Sequence, residues 1–205
     1  LNNPLGVITM YSNIIREELP ADSPVVQDIN LIVEQADRCR KIVGGLLNFA
    51  RKNQVNLTES DVVKLARHSI GSVIIPDSIK LRLNNKVSDP LVNLDYDQMT
   101  QVFANLLKNA VDAMPGQGEI DFDLVDNHDQ LIVSITDNGT GIPPENMDKL
   151  FTPFFTTKGP GKGTGLGLPI IYGIVKMHKG KISVKSNIDP AKGPTGTTFT
   201  ITIPR

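Results

Sequence analysis

The sequence predicts an α+β protein in which a helical hairpin precedes an α/β domain with a mixed sheet and three helices. Heptad spacing is confined to residues 1–53, and mixed helix and strand patterns follow a polar segment at residues 54–60. A length of 205 residues is sufficient for two domains. We therefore expect a first domain at residues 1–53 and a second at residues 54–205.

Heptad spacing predicts two helices in the first domain, at residues 4–19 and 24–53, separated by a break at Pro20–Ser23. Apolar or small residues recur at alternating intervals of three and four, at Leu5, Ile8, Ser12, Ile15 and Leu19, then at Ile29, Ile32, Ala36, Cys39, Val43, Leu46 and Ala50. Such a narrow seam is typical of a four-helix bundle. We expect residues 4–53 to form a homodimer that completes this bundle; a monomeric hairpin packed on the second domain is the alternative.

The second domain alternates between helical and strand patterns after a first short strand. Helices are predicted at residues 61–75, from Asp95 to Met114, and at residues 164–177. Strands are predicted where polar and apolar residues alternate, at residues 79–84, 91–94, 119–125, 130–136, 182–186 and 197–203. This order predicts a mixed sheet that three helices cover on one face.

Composition excludes several classes of function. A net charge of −1 gives no indication of a nucleic-acid partner or of an anionic membrane surface. No run of eighteen apolar residues occurs, so no membrane contact is expected from this sequence. The single cysteine, Cys39, excludes an internal disulfide, is consistent with a reducing cytoplasmic location, and is not expected to have a redox role.

A polar face adjoins the apolar stripe of the long predicted helix. Asn105, Asn109 and Asp112 lie at i, i+4 and i+7 and therefore share one face. Buried amides beside a core need partners, and Mg²⁺ takes hard oxygen ligands, often one protein group plus substrate phosphates. Asn109 offers such an oxygen, and an ordinary solvated helix face is the alternative.

A turn follows the apolar strand at residues 131–136. Asp137 at its start could accept a hydrogen bond from the exocyclic amine of adenine, and Gly139 and Gly141 would let the backbone approach the base. An ordinary Asp-Asn-Gly turn is the alternative interpretation.

Five glycines alternate between Gly159 and Gly167, directly before a predicted helix. They cannot form the interior of a stable helix or strand, and backbone N–H groups at a helix start can bind an anion. Lys158 and Lys162 add positive charge, and Leu166 begins an apolar run that indicates packing, which a flexible linker would not explain. Three phenylalanines precede this loop and are interpreted as the hydrophobic base of a lid, with generic core as the alternative: Phe151, Phe154 and Phe155.

The order of these motifs resembles that of the catalytic, ATP-binding domain of sensor histidine kinases. The resemblance implies a Bergerat-type fold that binds ATP with Mg²⁺, with Asn109 as the metal ligand, Asn105 as its neighbour near the phosphates, and Asp137 as the residue that reads adenine. The remaining nucleotide-binding candidates are Asp112, Gly139, Gly141, Lys158, Lys162, Gly163, Gly165, Leu166 and Gly167. The run Asn109–Met114 is similar to the nitrogen-regulation branch of the family.

The first domain resembles the dimerisation and phosphotransfer hairpin of the same family. Leu1–Leu5 is similar to the residues just after the phosphorylated histidine, so the expected His-Glu pair would immediately precede Leu1. Asn3 then matches the position that orients water for dephosphorylation of a response regulator. The resemblance implies transfer of the γ-phosphoryl group to that histidine and onward to a receiver domain. His68, His128 and His178 lie outside this sequence context.

Two further functions are open. The wider superfamily of gyrase-type topoisomerases, mismatch-repair ATPases and heat-shock chaperones hydrolyses ATP with a glutamate where this chain has Asn105. An amide cannot act as a general base, which favours transfer over hydrolysis. A non-catalytic dimer module with a vestigial nucleotide fold is the third possibility.

Overall fold

The computed structural model of the chain describes residues 2–20, 23–51, 55–127, 129–159 and 163–205. The chain divides into two compact units: Leu1–Asn53 with Pro153–Leu166, and Gln54–Thr152 with Gly167–Arg205. The domain boundary expected after residue 53 stays a prediction. It did not anticipate that the short segment Pro153–Leu166 separates from the rest of the second domain.

The first unit contains a helical hairpin made of α1 (Asn2–Glu18) and α2 (Val25–Arg51). Ser12 of α1 and Ile29 and Ala36 of α2 are buried, as expected for seam positions where the two helices pack against each other. The two predicted helices are therefore present, with ends that differ by one or two residues. The seam positions Val43, Leu46 and Ala50 lie outside the described side chains.

Other predicted seam positions of the hairpin are exposed in the single chain. Ile8 is 44% exposed, Ile15 is 47% exposed and Ile32 is 48% exposed. Cys39, which the heptad pattern assigns to the core, is also exposed. Two helices bury only the sides that face each other, so the remaining seam positions stay open in one hairpin.

The second unit alternates strands and helices. Its strands are β1 (Thr58–Asp61), β2 (Ile79–Lys86), β3 (Leu91–Leu94), β4 (Gly118–Asn127), β5 (Gln130–Asp137), β6 (Lys181–Asn187) and β7 (Gly196–Pro204). Its helices are α3 (Val62–Gly71), α4 (Tyr96–Asp112), α5 (Pro144–Met147) and α6 (Gly167–Met177), with a 3₁₀ turn at Pro190–Lys192.

The strands form two sheets. Strands β1 and β3 pair antiparallel in a small sheet, and the large sheet has the order β2-β4-β5-β7-β6. In the large sheet β2 and β4 run parallel, whereas β4–β5, β5–β7 and β6–β7 pair antiparallel. The mixed sheet predicted from the alternating strand patterns is confirmed.

One face of the large sheet packs against α3, α4 and α6. The core that these helices share with the sheet includes Leu65 of α3, Phe103 of α4, Ile171 of α6 and Phe122 of β4. All four side chains are fully buried. Phe103 and Phe122 meet edge to face with ring centroids 5.3 Å apart. The opposite face is polar because the strands alternate, so the predicted layer of three helices on one face is confirmed.

Element boundaries differ from the prediction where local chemistry overrides the apolar pattern. Helix α3 ends at Gly71, before the residue pair Ile74 and Ile75 that the pattern had included, since Pro76 disfavours helical backbone just before it. Helix α6 begins at Gly167 rather than at residue 164, with Pro169 in its first turn. The short helix α5 and the 3₁₀ turn, which both begin at a proline, were not predicted.

Candidate functional site

Helix α4 is positioned by a cap at its first turn. Asp95 has extended backbone (φ −83°, ψ 108°), and its side chain accepts a hydrogen bond of 3.0 Å from the Gln98 N–H. Asp95 therefore caps the N-terminus of the helix. One side of the helix is buried in the core through Val102, Phe103, Leu106, Leu107 and Ala110.

The predicted polar face of α4 lies at the edge of this buried stripe. Asn105 and Asn109 are half-buried, whereas Asp112 is exposed at the end of the helix. Asp112 therefore faces away from the core, although Ala110 and Met114 on either side of it are buried. Asn105 and Asn109 share one face of the helix at this edge.

Asp137 is the last residue of β5 and is only 5% exposed. Its Oδ1 accepts hydrogen bonds from the Gly139 N–H at 2.9 Å and from the Thr197 N–H at 3.2 Å. Both of these hydrogen bonds end on Oδ1, so among the described residues Oδ2 is left for a ligand. A ligand that presents an N–H donor, such as an aromatic amine, fits this oxygen.

Burial sets the electrostatics of this carboxyl group. Desolvation raises the pKa of Asp137, and the two backbone hydrogen bonds from Gly139 and Thr197 oppose that rise. An additional donor to Oδ2 would favour the ionised form further. The position therefore combines a desolvated carboxylate with an unfilled acceptor, an arrangement that is more frequent at binding sites than in ordinary turns.

The two glycines after Asp137 are required by neighbouring protein backbone. A Cβ on Gly139 would lie 2.5 Å from the carbonyl oxygen of Ala113, and the Thr140 N–H donates to that same oxygen at 3.1 Å. Gly141 has a φ of +73°, and a Cβ there would lie 2.3 Å from the carbonyl oxygen of Asn187. The sequence suggested that these glycines admit the base; the structure shows that they let the loop pack against the ends of α4 and β6.

Three residues that support this loop were missed from the sequence. Asn138 Oδ1 accepts a hydrogen bond of 2.8 Å from the Glu119 N–H, and Ser186 Oγ accepts one of 2.7 Å from the Ile142 N–H. Thr197 is buried directly opposite Asp137 in the β5–β7 register. The run Gly196–Phe199 was visible in the sequence, but only strand pairing brings it to Asp137.

Within the segment Pro153–Leu166, a backbone hydrogen bond joins residues near its two ends. The Phe154 N–H donates to the Gly165 carbonyl oxygen at 2.9 Å. A Cβ on Gly163 would lie 2.6 Å from Thr156 Oγ1 and 3.3 Å from Cβ of Lys158, so the two limbs run close together. Gly163 and Gly165 are therefore needed for packing within the segment. Leu166 is buried, and the candidate Lys162 lies outside the described residues.

The three phenylalanines do not share one environment. Phe151 packs against the core of the second unit, with its ring centroid 5.3 Å from that of Tyr172 on α6. Phe154 belongs to the other unit and is 52% exposed, and Phe155 is half-buried. The interpretation as one hydrophobic base is therefore wrong for Phe154, and generic core is the better description of Phe151.

His178 serves the fold. It is 5% exposed, its Nδ1 lies 2.8 Å from the Ile174 carbonyl oxygen, and its Nε2 accepts a hydrogen bond of 3.0 Å from the Asp95 N–H. Both ring nitrogens are occupied in the neutral form protonated on Nδ1. His68 is exposed beside Tyr96, and His128 lies outside the described residues.

Asn3 is exposed on the first turns of α1.

Within the described residues, no three or more His, Cys, Asp or Glu side chains are grouped so that they could hold a metal ion. The Asn109 carboxamide oxygen is a hard ligand atom, and together with phosphate oxygens it fits the way proteins hold Mg²⁺. In the same described residues no helix is long and apolar enough to cross a membrane.

Two family profiles match the chain. Residues 94–205 match the histidine kinase-, DNA gyrase B- and HSP90-like ATPase family, and residues 1–55 match the His Kinase A (phospho-acceptor) domain. The second range holds no histidine, since the chain's three histidines are at positions 68, 128 and 178.

Curated relatives are similar along the entire chain. The sensor histidine kinase ZraS of Escherichia coli (strain K12) is 33% identical over 208 residues, covering 100% of this chain and 43% of that protein. The sensor kinase CckA of Brucella abortus (strain 2308) is 36% identical over 222 residues, covering 100% of this chain and 23% of that protein. The chain thus spans less than half the length of these relatives.

Solved structures agree with these matches. The catalytic domain of histidine kinase ThkA is 31% identical with a TM-score of 0.62, covering 73% of this chain and 95% of that chain. ThkA in complex with the response regulator protein TrrA is 26% identical with a TM-score of 0.68, covering 98% of this chain and 57% of that chain. The chain therefore belongs to the sensor histidine kinase family, as a core that joins a His Kinase A domain to an ATP-binding domain.

Proposed function

We propose that this chain is the kinase core of a two-component sensor, which binds Mg·ATP and transfers the γ-phosphoryl group to a protein histidine. The observation that carries the proposal is the buried Asp137 carboxylate, whose Oδ1 is occupied by two backbone N–H groups while Oδ2 is left for a ligand. The exocyclic amine of adenine supplies the hydrogen-bond donor that this oxygen accepts. The family profiles and the relatives named above are histidine kinases or their ATPase relatives, which supports the same assignment.

The remaining roles follow from the resemblance and from the position of each side chain. Asn109 would be the protein ligand of Mg²⁺, with Asn105 beside it near the phosphates, and Asp112 would lie at the exposed end of the same face. Mg²⁺, when bound, supplies a positive charge that bridges and neutralises phosphate oxygens. The further nucleotide-binding candidates are Gly139, Gly141, Lys158, Lys162, Gly163, Gly165, Leu166 and Gly167.

Transfer to a histidine is favoured over hydrolysis of ATP. Asn105 stands where the ATPases of the wider superfamily have a glutamate, and a carboxamide does not accept a proton from water. Phosphoryl transfer depends mainly on positioning and charge neutralisation, which this chain's amides and backbone N–H groups can provide. The acceptor in this proposal is a histidine that immediately precedes Leu1, since residues 1–55 contain none.

The partners in this proposal are a second copy of the chain and a receiver domain. The homodimer would form through residues 4–53, where seam positions such as Ile8 and Ile32 are exposed in the single chain. A response regulator would receive the phosphoryl group, and Asn3 would later position water for its dephosphorylation.

We assign the protein to the nitrogen-regulation branch because the sequence of the run Asn109–Met114 is similar to that branch. We assign it to the cytoplasm because its proposed substrate, ATP, is found there.

Calorimetry with Mg·ATP tests the nucleotide site. In Asp137→Asn the carboxamide Oδ1 can still accept the two backbone N–H groups, but the charged acceptor at Oδ2 is lost. A hydrogen bond to a charged group contributes about 1.5–3 kcal/mol, so the Kd should rise on the order of tenfold or more. Asp126→Asn is the matched control, because Asp126 lies near the opposite end of the β4–β5 pair and should leave the Kd unchanged. An unchanged Kd in Asp137→Asn would reject the adenine assignment.

Labelling with γ-labelled ATP tests the reaction. The 205-residue chain should bind nucleotide without acquiring acid-labile phosphate, and a chain extended to include the upstream histidine should become labelled. Asn109→Ala in the extended chain should abolish labelling, because the side-chain oxygen proposed to bind the metal would be removed. Stable labelling of His68, His128 or His178 in the unextended chain would contradict the proposed acceptor. Release of inorganic phosphate without labelling would favour the ATPase alternative.

A further inference from the structure

Asp137 begins a row of polar side chains that continues across two further strands of the large sheet. The register pairs Asp137 of β5 with Thr197 of β7, and Thr197 with Ser186 of β6. Directly paired residues of antiparallel strands point to the same face, with Cβ atoms about 4.5–5.5 Å apart. Asp137 and Thr197 are buried, and Ser186 is half-buried. The three side chains therefore lie side by side on the face that packs against the helices.

The Ser186 hydroxyl has three hydrogen-bond partners. Its Oγ accepts from the Ile142 N–H at 2.7 Å and donates to the Gly196 carbonyl oxygen at 2.9 Å, and it lies 2.9 Å from Thr197 Oγ1. A hydroxyl group has one hydrogen, and Ser186 uses it on Gly196, because a carbonyl oxygen can only accept. The contact between Ser186 and Thr197 is therefore a hydrogen bond in which Thr197 donates.

This assignment determines what Thr197 can offer to a ligand. Its only hydroxyl hydrogen is directed at Ser186, so Oγ1 has lone pairs left and no hydrogen. The Thr197 N–H is also occupied, because it donates to Asp137 Oδ1 at 3.2 Å. Oδ2 of the Asp137 carboxylate is an acceptor as well. The side chains of Asp137 and Thr197, both among the described residues, therefore present acceptors alone.

We propose that Ser186 is a specificity-determining positioning residue for the nucleotide base, because it holds the Thr197 hydroxyl hydrogen away from the ligand. An exocyclic amine, which has two hydrogens, suits an edge made of acceptors. A carbonyl group at the same position of a purine would place a third acceptor against two others, and a buried acceptor without a donor is costly. This inference rests on the proposed function, since it requires that the base of ATP binds at Asp137.

A comparison of two nucleotides tests this role. Mg·ATP and Mg·ITP have the same sugar and phosphates, but C6 of the purine has an amine in ATP and a carbonyl group in ITP, which also protonates N1. The ratio Kd(ITP)/Kd(ATP), measured by calorimetry, cancels effects that are common to both nucleotides, such as a shift of the loop at Ile142. In Ser186→Ala, the Thr197 hydroxyl can turn and donate to the carbonyl group. The ratio should fall roughly two- to tenfold, the change expected for one neutral hydrogen bond.

A double substitution tests whether Ser186 acts through Thr197. Thr197→Val removes the hydroxyl group and keeps the branched shape of the side chain. If the hydroxyl transmits the effect, Ser186→Ala should leave the ratio unchanged in the Thr197→Val background. A general effect on folding would change the ratio equally in both backgrounds. Ser183→Ala is the matched control, because Ser183 is exposed on the opposite face of the same strand, and it should leave the ratio unchanged.

Two results would overturn the role of Ser186: an unchanged ratio in folded Ser186→Ala, or an equal fall with and without the Thr197 hydroxyl. Urea unfolding followed by circular dichroism shows whether each variant is folded. If Ser186→Ala does not fold, Ser186→Cys decides instead, since sulfur is a weak acceptor for the Thr197 hydroxyl, and the ratio should again fall. If the unmodified chain binds neither nucleotide, the proposed function and this inference both fail. If it binds ATP and the ratio does not respond, only the role of Ser186 is rejected.

Discussion

The helical hairpin and the α/β unit bury their apolar residues in opposite ways. In the α/β unit, Phe103 and Phe122 are fully enclosed by three helices and one sheet face of the same chain. In the hairpin, by contrast, the seam residues Ile15 and Ile32 are 47% and 48% exposed. The α/β unit has a core of its own, whereas a single hairpin leaves apolar seam positions open, which is the surface that the proposed homodimer would cover.

Among these predictions, removal of a buried aromatic ring from the core of the α/β unit should cause the largest loss in free energy of unfolding. Phe103→Ala deletes a fully buried ring that contacts Phe122, and such substitutions lower the free energy of unfolding by about 3–5 kcal/mol. Urea unfolding followed by circular dichroism measures the change. The matched control is Ile74→Ala, at a side chain that is 93% exposed, which should change the free energy by less than about 0.5 kcal/mol. Similar values for both variants would refute a self-contained core.

A charge in the open seam of the hairpin should break the homodimer. Ile32→Asp places a carboxylate at a seam position that is 48% exposed in the single chain. Two-fold symmetry introduces the charge twice, and desolvating it should weaken dimerisation by roughly a hundredfold or more. Light scattering gives the oligomeric state. Nucleotide affinity should persist, because Asp137, the residue proposed to bind adenine, lies in the other unit.

Leu31→Asp provides the control for the dimer. Leu31 is adjacent in sequence and 56% exposed, but it lies outside the heptad seam. It should therefore leave the dimer intact. If Leu31→Asp gives monomers while Ile32→Asp does not, the interface uses a different face of α2 than the seam predicts.

The same contrast explains which parts of the fold could be predicted from the sequence. Regular alternation identified the strands of the large sheet, and heptads identified both helices of the hairpin, because each pattern extends over many residues. The short elements α5 and the 3₁₀ turn carry too few residues to show a period. Strand pairing is also invisible in a single sequence, so Thr197 could not be placed beside Asp137.

The candidate site shows a similar division. Asp137 and the amides of α4 could be selected because their residue types suit a known chemistry. The reasons for the glycines could not be predicted from the sequence. Gly139 is required because the carbonyl of Ala113 lies close to it, and Gly165 because the backbone of Phe154 does, and both contacts are with residues distant in sequence. The left-handed backbone of Phe154, with a φ of +69°, has no sequence signal either, because phenylalanine is not a residue that favours this conformation.

Within the α/β unit, two carboxyl groups on the β4–β5 pair differ in what they do for stability. Asp126 accepts hydrogen bonds from the hydroxyl and backbone N–H of Ser88, and pairs with Arg205 at 3.0 Å. The Ser88 hydroxyl, followed by backbone hydrogen bonds and the Arg205 charge, holds the pKa of Asp126 below its usual range against some desolvation. Burial instead raises the pKa of Asp137. Folding therefore favours the ionised form of Asp126 and disfavours the ionised form of Asp137.

Substitution of these two carboxylates should therefore have opposite effects near pH 7. Because the pKa of Asp126 is lowered on folding, its contribution is present above the unfolded value of about 3.9 and is lost as the pH falls through the folded value. Asp126→Asn should thus lower the free energy of unfolding at neutral pH.

For Asp137 the sign is reversed, since a raised pKa penalises the ionised form, and the penalty disappears as the pH falls below the folded value. Asp137→Asn should therefore raise the free energy of unfolding of the nucleotide-free chain at neutral pH. Urea unfolding from pH 4 to pH 8 measures both variants. The Asp137→Asn curve should approach that of the unmodified chain at the acid end, whereas the difference caused by Asp126→Asn should persist across this range, because the contribution of Asp126 is lost only at lower pH. A loss of stability in Asp137→Asn at pH 7 would show that the carboxylate is satisfied within the fold, and it would remove the electrostatic reason for placing a ligand at Oδ2.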